Sequence, residues 1–63
     1  MRILFIKAQG AGNDFIIIDK NTDIIAKSKK LIKFLSDRKV GIGCDQIILI
    51  KKNKELYQVK FYN

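Results

Sequence analysis

The sequence predicts a small α/β unit of the α+β kind, ordered strand–strand–helix–strand–strand. Three observations predict it. Three short runs are apolar and carry β-branched residues, the composition of strands, and a fourth alternates in part. One central stretch switches to a helical period, with apolar and lysine positions on opposite sides. Two glycine loops and a polar turn separate these segments.

The first strand is read over Ile3 to Lys7 and is broken by Gly10, Ala11 and Gly12. Phe15 to Asp19 is again apolar and β-branched and gives the second strand; Lys20 to Asp23 reads as a loop. In the helical stretch, Ile24, Leu31 and Leu35 share a face if the helix is long, and Leu31, Phe34 and Leu35 share it if the helix is short. Lys27, Lys30 and Lys33 lie opposite. Thr22 or Asp23 could cap the long helix and Ser28 the short one. Lys29 and Lys30 would face the positive end of the helix dipole after Ser28, which weighs against the shorter form. Arg38 and Lys39 suit the C-terminal end, and Gly41 can leave the helix through a left-handed conformation.

Gln46 to Lys51 is the third strand, and Lys52, Asn53 and Lys54 form a polar turn. Leu56 to Tyr62 is the fourth strand, paired with the third as a hairpin. Leu56, Gln58, Lys60 and Tyr62 point to one side of it, and Tyr57, Val59 and Phe61 to the other. With no proline, linker or repeat, residues 1–63 hold one domain at most. The fourth strand runs almost to Asn63 without a tail, so the expectation is an incomplete domain.

A chain of 63 residues buries only about 60% of the surface its unfolded form exposes, so its core is small. A single cysteine, Cys44, and no histidine exclude an internal disulfide and a zinc site, and no metal is expected. A lone thiol suits a reducing cytoplasm. Neither a signal-peptide pattern nor an apolar run of about 20 residues is present, so no membrane partner is expected. The net charge of +7 raises the possibility of an anionic partner. Yet 11 of the 13 basic residues are lysines scattered along the chain, whereas readers of nucleic acid favour arginine. Isoleucine, lysine and asparagine share A/T-rich codons, which accounts for the excess without a partner. No nucleic acid is therefore expected; a small basic binding module for nucleic acid or an acidic protein stands as the alternative function.

The two loops are GAGNDF at residues 10–15 and GIGCDQ at residues 41–46. Neither fits a dinucleotide fingerprint. The first lacks the third glycine and leads into a strand; the second follows a helix and leads into a strand. Each is readable as a turn, since glycine supplies positive φ and Asn or Asp tolerates it. Together they carry more. Each sets a carboxamide, Asn13 or Gln46, beside an acid, Asp14 or Asp45. Carboxamides both donate and accept hydrogen bonds, which suits the ammonium and carboxylate of an amino acid.

GAGNDF, followed after one helix by SDRKVGIGCDQ and closed by FYN, resembles the diaminopimelate epimerase family over nearly the whole chain. The resemblance is weakest through Lys20 to Lys33. It implies that residues 1–63 are an incomplete N-terminal domain of that family's fold, in which two similar α/β halves enclose the active site. It also implies inversion of LL- to meso-diaminopimelate in lysine and cell-wall biosynthesis, without a cofactor. In the family one cysteine acts as thiolate base and another as thiol acid on opposite faces of the substrate. Both expected cysteines fall beyond the segments matched here, so no catalytic residue is assigned and the chain is expected to be inactive alone, its partner being the missing remainder of the enzyme. Cys44 stands where family members carry various residues and is read as a small packing residue. By the resemblance, Asn13, Gln46 and Asn63 are substrate-binding residues for a small amino-acid substrate, and Asp37 with Arg38 is a helix-end pair holding the following loop.

Overall fold

The first hairpin is tighter than its sequence suggests. In the computed structural model, which describes residues 3–63, strand β1 (Ile6–Gly10) pairs antiparallel with β2 (Asn13–Ile18), from Ile6 opposite Ile17 down to Gly10 opposite Asn13. Only Ala11 and Gly12 remain as the loop, with φ of 51° and 83°. Two successive positive φ values are the geometry of the two-residue turn whose twist matches that of paired strands. The strand expected over Ile3 to Lys7 is therefore displaced toward the turn. Gly10 does not break it, because pairing with Asn13 carries the ladder to the last residue before the loop.

Two helices replace the single helix expected. Helix α1 (Thr22–Ala26) and helix α2 (Lys29–Ser36) meet at Lys27 and Ser28. Ser28 caps α2: its hydroxyl oxygen accepts from the Leu31 N–H at 3.1 Å. A side-chain cap is worth about 1 kcal/mol. An exposed lysine in the first turn costs only some tenths of that, so the cap prevails over Lys29 and Lys30. Asn21, with φ 58°, precedes α1 without a side-chain cap, in place of Thr22 or Asp23.

The exit also differs from expectation. Helix α2 ends at Ser36, and Asp37 is extended. The Asp37 carboxylate accepts from the N–H groups of Lys39 and Val40, which turns the chain sharply. The returning loop then donates the N–H groups of Ile42 and Gly43 to the Leu35 carbonyl and that of Cys44 to the Ser36 carbonyl. Carbonyls that a helix end leaves open are thus satisfied by the loop itself. Gly41 is not left-handed. It is needed for space, since a Cβ there would lie 1.8 Å from the Phe34 carbonyl oxygen.

Strand β3 (Gln46–Asn53) pairs parallel with β2, and β4 (Leu56–Tyr62) pairs antiparallel with β3, giving the sheet order β1-β2-β3-β4. The last turn falls on Lys54 and Glu55, because Lys52 and Asn53 continue the ladder opposite Tyr57 and Leu56. The helices cover one face. Ile16 and Ile18 of β2, Ile47 and Leu49 of β3, Ile25, Leu35 and Cys44 form the buried core. Full burial of an isoleucine side chain contributes roughly 1.5–3 kcal/mol, and Ile16, Ile18, Ile25 and Ile47 are completely inaccessible. The opposite face is bare: Ile6, Tyr57, Val59 and Phe61 remain exposed there, as alternation along the strands requires. Tyr62, on the covered side, is half-buried against the core.

Candidate functional site

Because β2 and β3 are parallel, both glycine loops deliver their strands at the same end of the sheet. Asn13 opens β2 and Gln46 opens β3. Side chains alternate along a strand. Asp14, Ile16 and Ile18 are buried on the helix side, so Asn13 and Phe15 belong to the bare side. Ile47 and Leu49 are buried on the helix side, so Gln46 belongs to the bare side as well. Asn63 follows Tyr62 and returns to the bare side, where its side-chain oxygen accepts from Gln46 Nε2 at 3.1 Å. The structure therefore joins Gln46 to Asn63 directly and sets Asn13 on the same face at the same end. Among the described residues, no side-chain hydrogen bond engages Asn13.

The two acids lie on the other side and are tied to each other. The Asp14 N–H donates to the Asp45 carboxylate at 3.2 Å, and the Asp45 N–H donates to the Asp14 carboxylate at 2.8 Å. Arg38 closes this reciprocal pair. Its Nη1 and Nη2 reach the two Asp14 oxygens at 3.0 and 2.8 Å, and Nη2 also reaches Asp45 at 3.0 Å. Lys7 adds a longer contact to Asp14 at 3.5 Å. Bidentate, charge-assisted bonds of this kind are the strong ones. The Arg38 hydrogen bonds, followed by that from the Asp45 N–H, hold the Asp14 carboxyl well below the usual carboxylate range. The same bonds to Asp14 and Asp45 raise Arg38 above the ordinary guanidinium value.

Arg38 is thus a correction to the expected Asp37–Arg38 pair. Asp37 holds the local turn, and Arg38 reaches across to both loops instead. The sequence does carry a signal for this: Arg38 is one of only two arginines, lying between two loops that each contain an acid. A shallow hollow lined by Gly10, Gly12, Asn13, Asp14, Arg38 and Asp45 runs between the loops. A larger apolar groove lies toward the far end of the bare face, between Phe5, Ile6, Ile17, Ile50 and Tyr57. Cys44 is in neither; it is buried in the core, and burial, then the negative charge of Asp14, pushes its thiol pKa up. Among the described residues, no three His, Cys, Asp or Glu side chains cluster as metal ligands. Among the described residues, no helix is long and apolar enough to cross a membrane either.

A four-stranded mixed sheet with one helical layer, presenting two ion-tied loops at one end, defines the class as a small α+β unit. No family model matches the chain. Individual relatives do. A diaminopimelate epimerase of Nitrosospira multiformis is 48% identical over 52 residues, covering 82% of this chain and 19% of that protein. Diaminopimelate epimerases of Rickettsia akari and Rickettsia prowazekii are 39% and 40% identical, each covering 98% of this chain and 23% of their own length. Over this stretch the chain belongs to the diaminopimelate epimerase family, and it spans about a fifth of the length of the curated relatives it matches.

Proposed function

We propose that this chain forms one wall of a diaminopimelate epimerase active site, with Asn13, Gln46 and Asn63 contacting the substrate's ammonium and carboxylate groups. The observation that carries this reading is the gathering of all three carboxamides at one end of the bare sheet face, with Gln46 bonded to Asn63 at 3.1 Å. Inversion at an amino-acid Cα needs a base on one face and an acid on the other, both held in place. One thiol cannot serve both faces, and Cys44 is buried in the core, away from the bare face that carries the three carboxamides. The two thiols of the reaction therefore come from the remainder of the enzyme, which is the partner of this wall. The setting is the cytoplasm, in lysine and cell-wall biosynthesis. The basic-module alternative draws on the charge of +7 alone.

Two measurements test this. In deuterated water the isolated chain is expected to give no exchange at the Cα of LL-diaminopimelate above the buffer blank. Exchange that disappears in Cys44→Ser would overturn the packing assignment of Cys44. In NMR titrations with LL-diaminopimelate, the side-chain amide signals of Asn13 and Gln46 are expected to move, and Asn13→Ala to weaken binding. Signals that stay fixed at millimolar ligand would remove the substrate-wall reading.

A further inference from the structure

We propose that Arg38 is a positioning residue, which sets the placement of the Asn13 and Gln46 carboxamides from the opposite side of the sheet. Each loop spells a carboxamide next to an acid, in the order Asn13–Asp14 and Asp45–Gln46. Neighbouring residues of a strand point to opposite faces. Whatever fixes the acids below the sheet therefore fixes the carboxamides above it. The acids are fixed by a closed set of contacts: two reciprocal bonds from N–H to carboxylate, a bond from the Asp45 N–H to the Asp14 carbonyl at 3.2 Å, and three bonds from one guanidinium.

The ladder alone does not do this. The parallel pairing of β2 with β3 begins at Phe15 opposite Gln46, so Asp14 and Asp45 lie just before it. Asp14 is held to β1 opposite Gln9, but there the two loops are joined to each other only by the one backbone bond and by these side chains. The chain also keeps space for the guanidinium's own backbone. Gly43 has φ 87°, and a Cβ there would lie 3.0 Å from both Cα and Cγ of Arg38. Lysine cannot replace arginine here, because one ammonium lacks the planar fork that meets two Asp14 oxygens while also reaching Asp45. The consequence for ligand binding rests on the substrate contacts proposed above; the placement of the loops does not.

The test is amide hydrogen exchange and side-chain amide NMR on the full chain and on its Arg38→Lys and Arg38→Gln variants. In both variants the Asp14 and Asp45 N–H groups should exchange about tenfold faster or more, as expected when charge-assisted bonds are lost. The Gln46 side-chain signals should move toward those of solvent-exposed amides and the already exposed Asn13 side-chain signals should shift as its backbone is released, while the Ile16, Ile18 and Ile47 N–H groups keep their protection. A purely global role would speed all of these amides together and would overturn the proposal. So would unchanged Asn13 and Gln46 signals in a folded variant. If both Arg38 variants unfold, Asp45→Asn carries the test. It removes one arm of the guanidinium bridge, and it should release Gln46 more than Asn13; equal or no movement of the two would count against the proposal. Titration with LL-diaminopimelate separates the two readings. No response in the unsubstituted chain defeats the substrate contacts, whereas the exchange pattern still decides the role of Arg38.

Discussion

The two G-x-G loops look alike in sequence and are held by different physics. In the first, Gly12 sits in open space, and its need for glycine is purely one of φ, at 83°. In the second, Gly41 has an ordinary φ but no room, and Gly43 has both a positive φ and a crowded Cβ position. The first loop is a strand-to-strand turn that leans on nothing. The second is folded back over the end of α2, where its N–H groups satisfy the Leu35 and Ser36 carbonyls. One spelling therefore serves two tasks. The shared feature is the acid that follows each, and Arg38 joins those acids.

The sharpest way to break this contrast is Gly41→Ala. Its methyl group would overlap the Phe34 carbonyl oxygen, a backbone atom that cannot rotate away. Overpacking typically costs 1–3 kcal/mol, and this contact lies at or beyond the upper end of that range, so a loss of about 3 kcal/mol or more is expected. A domain this small has only a few kcal/mol of stability. Loss of the cooperative melt by circular dichroism is the expected result, and a melt within a degree or two of the parent would show that the loop can lift off the helix.

Gly43→Ala should come next. A non-glycine residue in the left-handed region costs roughly 1–2 kcal/mol. The new methyl also presses on Arg38, at 3.0 Å from its Cα and its Cγ, a far smaller overlap than at Gly41 and one that a shift of a few tenths of an ångström relieves. The variant should therefore melt lower yet stay folded, with its Asp14 and Asp45 N–H groups more disturbed than those of the core. A drop equal to that of Gly41→Ala would mean that Arg38 cannot move.

Acid sharpens the comparison at the point where the loops meet. The Asp14 carboxyl is lowered from an ordinary value of 3.8, so the unfolded chain takes up this proton first. Stability owed to Asp14 is complete above about pH 5; it declines as pH falls through the ordinary value and goes on declining below pH 2. Asp23, lowered by Lys51, acts in the same direction, but that pair is exposed and salt should screen it. Thermal midpoints between pH 6 and pH 2 should fall, and Asp14→Asn should flatten the slope. An unchanged slope in that variant would place the acid sensitivity elsewhere.

These contrasts also separate what sequence could show from what it could not. Strand β4 was legible to the residue, Leu56–Tyr62, because alternation and a polar turn bound it locally. Strand β1 was misplaced by three residues, because two glycines read as breakers when only one of them stands in the loop. The division between α1 and α2 turned on a contest between the Ser28 cap and two first-turn lysines, whose effects oppose each other. The common end of Asn13 and Gln46 follows from one parallel pairing, which the order of elements implies. For the partners of Arg38 the sequence offers only its place between two acid-bearing loops, since Asp14 is 24 positions away and no local pattern encodes contact across a fold.

The smallest expected effect lies within the first loop, between Gly10 and Gly12. At Gly12 an added Cβ meets nothing within 4 Å, so Gly12→Ala isolates the conformational cost. Ala11 already occupies φ 51° beside it. The turn thus carries one strained alanine now, and the substitution would make two, at a cost of about 1–2 kcal/mol. Gly10 lacks a positive φ and ends a paired strand. Its Cβ would sit 3.7 Å from Phe15 Cε2, an ordinary contact. Gly10→Ala therefore adds no strain and narrows the unfolded ensemble, which stabilises by about 0.4–1 kcal/mol. Two identical methyl groups, two residues apart in one turn, should shift the melting midpoint in opposite directions. If both lower it, the bare end of the hairpin is more crowded than its open surroundings indicate, and φ alone does not explain the first loop.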